Sequence, residues 1–108
     1  MNLCNAAVNC ARAAKCTSGG VSGGDPTDCY CGTADQSTTC ASGGANGPCV
    51  AAFEAADTNI LAGDSAAVRG GKMGGDIADT SLPIGHAFNM LNCDLGKCTT
   101  TATCGGQF

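Results

Sequence analysis

Asp28-Cys29-Tyr30-Cys31-Gly32 sets two cysteines on either side of a single tyrosine. The pair is too close to bridge itself without strain, so each sulfur must reach a different part of the chain. Working outward, eight more cysteines flank it. The full set is Cys4, Cys10, Cys16, Cys29, Cys31, Cys40, Cys49, Cys93, Cys98 and Cys104, ten in 108 residues. That density marks a disulfide scaffold. The even count lets all ten pair, but it leaves roughly nine hundred connectivities open.

The competing use of so many sulfurs is a metal or redox centre. The intervening gaps are 5, 5, 12, 1, 8, 8, 43, 4 and 5 residues. They match neither the close pairs of structural zinc sites nor the ferredoxin and haem-attachment spacings. Cys29, Cys31, Cys40 and Cys49 form the one set that would make a four-thiolate site. Cys29-x-Cys31 is the one redox-like turn, without the Cys-x-x-Cys of thioredoxin-like enzymes. A thiolate metal-binding or redox protein is therefore a minor alternative, and no cofactor is expected.

Staples suit this composition. The chain has 17 glycines, no tryptophan and 4% aromatic residues, so its apolar fraction of 44% rests heavily on alanine and cysteine. Such a core is marginal against the entropy of ordering the backbone. Disulfides of this number persist outside a reducing cytosol. Met1-Asn2-Leu3-Cys4 carries no basic or apolar leader, so a mature or excised segment is expected, extracellular or at a cell surface. No stretch reaches the ~20 apolar residues of a membrane span. Five Lys plus Arg against nine Asp plus Glu, with no basic run, argues against nucleic acid as a partner.

The periodicity predicts a small disulfide-rich domain, mainly α, with about three short helices and long Gly-rich loops. Residues 1–108 form one domain. The first helix spans 2–16, capped by Asn2, with Leu3, Ala7, Cys10 and Ala14 on its inner face. Residues 17–47 are loop-rich, and Tyr30 is packed between its cysteines. The second helix spans 48–61 from Pro48, with Val50, Phe53 and Ile60 inward and Glu54 and Asp57 turned elsewhere or to solvent. Residues 63–81 hold no cysteine and read as a glycine-rich loop or a hairpin around Val68–Met73. The third helix, 82–94, carries the clearest stripe, Ile84, Phe88, Leu91 and Leu95. It should pack on Val50 and Phe53, with Leu3 and Val8 nearby.

Catalysis finds little support. His86 is the sole histidine and reads as a partly exposed helix residue. A Ser-His-Asp set would need Ser81 or Ser65 and Asp79 or Asp76 to converge on it, and no nucleophile-elbow motif is present. The carboxylates are scattered singly. Arg69 and Lys72 read as solvated loop charges. No catalytic, metal or cofactor residues are assigned, and the chain is not expected to be an enzyme.

Asp28-Cys29-Tyr30-Cys31-Gly32-Thr33-Ala34-Asp35 followed by Gly43-Gly44-Ala45-Asn46-Gly47-Pro48-Cys49 resembles a group of cysteine-rich secreted proteins and lipoproteins of myxobacteria and their relatives. Leu3-Cys4, Val8-Asn9-Cys10-Ala11-Arg12 and Cys16 are similar to the same group, as is Pro83 to Cys93 with Cys98 and Cys104. The resemblance implies export and a cysteine framework, and no catalytic residues are carried over from it.

Two functional expectations follow. The first is a non-catalytic structural subunit of an extracellular surface assembly or filament. It would self-associate or join another surface protein through alanine- and glycine-rich helix faces, and Phe108 would be buried. The second is a monomeric secreted binding module that displays the 63–81 loop.

Overall fold

Asn2 opens the first helix by accepting a hydrogen bond from the Asn5 amide at 3.0 Å, which satisfies one of the free donors of a helix start. In the computed structural model, which describes residues 2–17, 26–94 and 104, α1 then runs Leu3–Ala14. It ends at Lys15 in the left-handed region, φ 56°. Its buried residues are Cys4, Ala7, Val8 and Ala11. The inner face is thus rotated from the expected one, and Ala14 is exposed. Val8 is the only large side chain on the strip, and its burial sets the rotation. The small neighbours let α1 lie against both α3 (Val50–Ala56) and α5 (Pro83–Asp94).

The stretch expected to be loop between 17 and 47 contains the one-turn helix α2, Asp28–Cys31, and a wide π-type turn over Cys40–Gly44. A short helix leaves its last carbonyls without partners. Here the chain returns to supply them. The amides of Asn46, Gly47 and Cys49 donate to the carbonyls of Cys31, Tyr30 and Cys29 at 3.2, 2.9 and 2.9 Å. Gly47 permits the approach, since a Cβ there would lie 2.3 Å from the Cys29 carbonyl oxygen.

Four disulfides join the described cysteines: Cys4–Cys104, Cys10–Cys49, Cys16–Cys29 and Cys31–Cys40. Cys29 and Cys31 do go to different partners. Their bridges tie α2 to the end of α1 and to the wide turn, while Cys10–Cys49 ties α1 to the start of α3. Cys93 is also disulfide-bonded. Leu95, Cys98 and Phe108 lie outside the described residues.

The core is as the stripe predicts. Phe53, Ile84, Leu91 and Val8 are fully buried, with Phe88 beside them. The rings of Phe53 and Phe88 meet edge-to-face, centroids 5.5 Å apart. Val50 and Leu3 pack at the margin of this cluster. The second helix stops earlier than expected. Asp57 leaves the helical region at φ −92° and ψ 92°, so α3 covers Val50–Ala56, not 48–61.

The largest departure lies at 63–81. Residues Ala66–Asp76 form an eleven-residue helix, α4, in place of a flexible loop or hairpin. Ser65 caps it by accepting from the Val68 amide at 3.2 Å. Glycine-rich helices are weak on their own, so packing has to hold this one. Met73 enters the core and Ile77 packs against it. Gly70 lies against the wide turn, where a Cβ would come within 2.5 Å of the Cys40 carbonyl oxygen. At Gly43 on the turn (φ 104°), an added Cβ would come within 2.8 Å of the backbone of Ala66 and Ala67.

Gly71 is the contrasting case, with nothing within 4 Å of an added Cβ. Gly70→Ala should destabilise the protein by about 1–3 kcal/mol through overpacking. Gly71→Ala should stabilise it by up to about 1 kcal/mol through helix propensity. Urea midpoints of the two variants check this. Equal, near-zero shifts would mean that α4 is not a packed helix.

Candidate functional site

Polar side chains converge where α3, α4 and the intervening 57–65 segment meet α2. Tyr30 is buried, and its hydroxyl donates to Glu54 Oε2 at 2.7 Å. Burial and the Glu54 carboxylate both push the phenol above its ordinary pKa, so it stays a neutral donor. Glu54 Oε1 pairs with Arg69 Nη1 at 3.3 Å. The same guanidinium donates from Nε to the Asp64 carbonyl at 3.1 Å and from Nη2 to the Ala62 carbonyl at 3.3 Å. One turn on, Lys72 Nζ bonds Asp64 Oδ2 at 2.6 Å and the Asn59 carbonyl at 2.8 Å. Asp64 Oδ2 also accepts from the Leu61 amide at 2.8 Å. That amide bond first, and the Lys72 ammonium second, hold the Asp64 carboxyl below the usual carboxylate range.

Arg69 and Lys72 are therefore not solvated loop charges. Spaced at i and i+3 on α4, they face the same side and lash the 57–65 segment to the helix. Both pairs keep some contact with water, so each contributes modestly. Beside the first pair opens a cleft of about 360 Å³. Tyr30, Val50, Glu54, Asp64 and Arg69 line it, with the small residues Gly43, Ala45 and Ala66. Its size falls within the range of small-molecule pockets. It presents one guanidinium against two carboxylates.

At the far end of α4, Asp57 is 1% exposed rather than turned to solvent. Its Oδ1 accepts from the Asn59 amide at 3.2 Å, and Asp76 Oδ1 accepts from Asn59 Nδ2 at 3.3 Å. Oδ2 of Asp57 and Oδ2 of Asp76 are both buried and meet no donor among the described residues. The sequence held no signal for this pair, because the two residues lie 19 positions apart and approach only in the folded chain, where both bond Asn59.

The residues weighed for a hydrolytic set have other duties. Ser65 caps α4. Ser81 donates from both its amide and its hydroxyl to Asp79 Oδ1, at 2.9 and 2.6 Å, in a local turn. Asp76 belongs to the Asp57 pair. His86 is a half-buried residue of α5. The four sulfurs of the thiolate alternative, Cys29, Cys31, Cys40 and Cys49, are spread over three separate disulfides, and Cys29 and Cys31 are bridged to different partners. Among the described residues, no helix is long and apolar enough to cross a membrane.

No protein family, curated protein or solved structure matches this chain.

Proposed function

We propose that the chain is a non-catalytic structural subunit of an extracellular or cell-surface assembly, joined to its neighbours through the outer face of α4. The observation that carries this reading is the make-up of that face. Ala67, Gly71, Gly74 and Gly75 are exposed along it, and an added Cβ on any of the three glycines would meet nothing within 4 Å. Alanine at those glycines would favour the isolated helix, by roughly 1 kcal/mol each. Their presence therefore serves something other than the stability of the monomer, and close approach of a second backbone is what small side chains permit. Two large apolar side chains flank the N-terminal end of the same helix: Val68 at 45% and Leu61 at 63% exposure. They supply the anchors that small residues lack. Disulfides that hold without a large core, and the export implied by the resemblance to myxobacterial cysteine-rich proteins, agree with an extracellular role.

A second reading, a monomeric secreted binding module, is favoured by the cleft of about 360 Å³ beside Tyr30, Glu54 and Arg69. It would display that cleft in place of a 63–81 loop.

Sedimentation velocity of the oxidised protein at about 10–100 μM, a range that detects micromolar association, separates the two. Assembly predicts concentration-dependent oligomers that Val68→Asp and Gly71→Glu convert to monomers. A monodisperse wild-type monomer across that range would remove self-assembly and leave the binding module.

A further inference from the structure

We propose that Asp57 and Asp76 form a proton-sharing clasp that fastens the C-terminal end of α4 to the end of α3 in acid and loosens as the pH rises towards neutrality. The geometry is that of two carboxyls that both accept from Asn59 and whose buried Oδ2 atoms meet no donor among the described residues. Two ionised carboxylates in that position repel each other. A single proton between them turns the contact into a hydrogen bond. Asp57 is the C-cap of α3, at the negative end of a helix dipole, which adds to the penalty on its ionised form. Asp76 is the last residue of α4.

The groups facing Asp57 are few in kind. Asp76 stands opposite it. The Asn59 amide and the Lys72 ammonium favour its ionised form. Tyr30, from α2, lies within its field. Lys72 is already held by Asp64 and the Asn59 carbonyl, which limits what it can offer. Among the described residues, no three His, Cys, Asp or Glu side chains gather as metal ligands. Two carboxyls beside an ammonium suit a proton better than a divalent cation.

Burial first, and the Asp76 hydrogen bond second, raise the Asp57 carboxyl from 3.8 to about 6. A raised acid binds more protons in the folded state than in the unfolded one. Its stabilising effect is therefore complete below about 4 and is lost as the pH climbs through about 6. The loss falls on α4, because no cysteine lies between Cys49 and Cys93 to pin that helix.

Hydrogen exchange of the α4 amides in the oxidised protein, corrected for the intrinsic pH dependence of exchange, tests the clasp. Between about pH 4.5 and about pH 7.5, wild-type protection is expected to fall by at least about tenfold. The ceiling is about a hundredfold, the shift in Asp57 expressed as an equilibrium ratio. Asp57→Asn should show the same protection at both pH values, and Asp76→Asn makes the same comparison should the first variant not fold. Equal wild-type protection at the two pH values overturns the proposal. So does an asparagine variant that keeps the wild-type drop. Recovery of wild-type protection at neutral pH on adding about 5 mM calcium also overturns it, since the pair would then be a cation site.

Discussion

Phe88→Ala is expected to lower the stability of the oxidised protein by about 3–5 kcal/mol, the cost of removing a large buried aromatic side chain. Phe88 is 5% exposed and makes the edge-to-face contact with Phe53, a geometry that adds about 0.5–1.5 kcal/mol beyond area burial. The surroundings favour the upper half of the range. A partly open pocket of about 40 Å³ borders Phe88, lined among others by Met73, Ile77, Gly70 and Cys40, so truncation adds to space that is already unfilled. The walls cannot readily collapse, because Cys40 is bridged to Cys31 and Gly70 is already in backbone contact with the turn. Denaturant unfolding with the bridges intact measures the effect. A loss below about 1 kcal/mol would place Phe88 outside the core that unites α3 and α5.

That core is also the part of the fold most legible in the sequence. Ile84, Phe88 and Leu91 repeat at helical spacing, and all three are buried on α5. A stripe of large residues reports one face of one helix and needs no knowledge of the rest. The inner face of α1 was harder to read. Its alanines and cysteines differ little in hydrophobicity, so Leu3 and Cys10 competed with Cys4, Val8 and Ala11 for the inward positions. The helix α4 was obscured by Gly70, Gly71, Gly74 and Gly75, which read locally as turn residues. Yet its marks were present. Ser65 stands before Ala66-Ala67-Val68 as a cap, and Met73 and Ile77 sit one turn apart. What the local reading lacked was the wide turn at Cys40–Gly44, against which Gly70 is an asset. The polar site depends on the same fold-back. Tyr30, Glu54 and Arg69 come from three helices, and Asp57 is buried beside Asp76 at the end of α4. Disulfide pairing was illegible for the same reason, apart from the strain that kept Cys29 from Cys31.

Replacing both Cys4 and Cys104 by alanine is expected to cost about 4 kcal/mol, against about 2.5 kcal/mol for the same change at Cys31 and Cys40, if cross-links act mainly on the unfolded chain. The reasoning is one of loop length. Cys4–Cys104 closes a separation of 100 residues and Cys31–Cys40 one of 9. The Cys10–Cys49 bridge spans 39 of the residues within the larger loop and shortens it in the unfolded state. Closure entropy varies only with the logarithm of length, so that shortcut removes a few tenths of a kcal/mol. Native packing works in the same direction. Cys4 and Cys104 are both buried, and the Cys104 sulfur lies 3.2 Å from that of Met90 on α5, so the bridge joins α1, α5 and Cys104. Paired urea titrations of the two double variants give the comparison. Should loss of the short Cys31–Cys40 loop prove the more costly, the bridges act chiefly through the folded state. The anchorage of the wide turn under α4, not the tie between the ends of the chain, would then be the main source of stability.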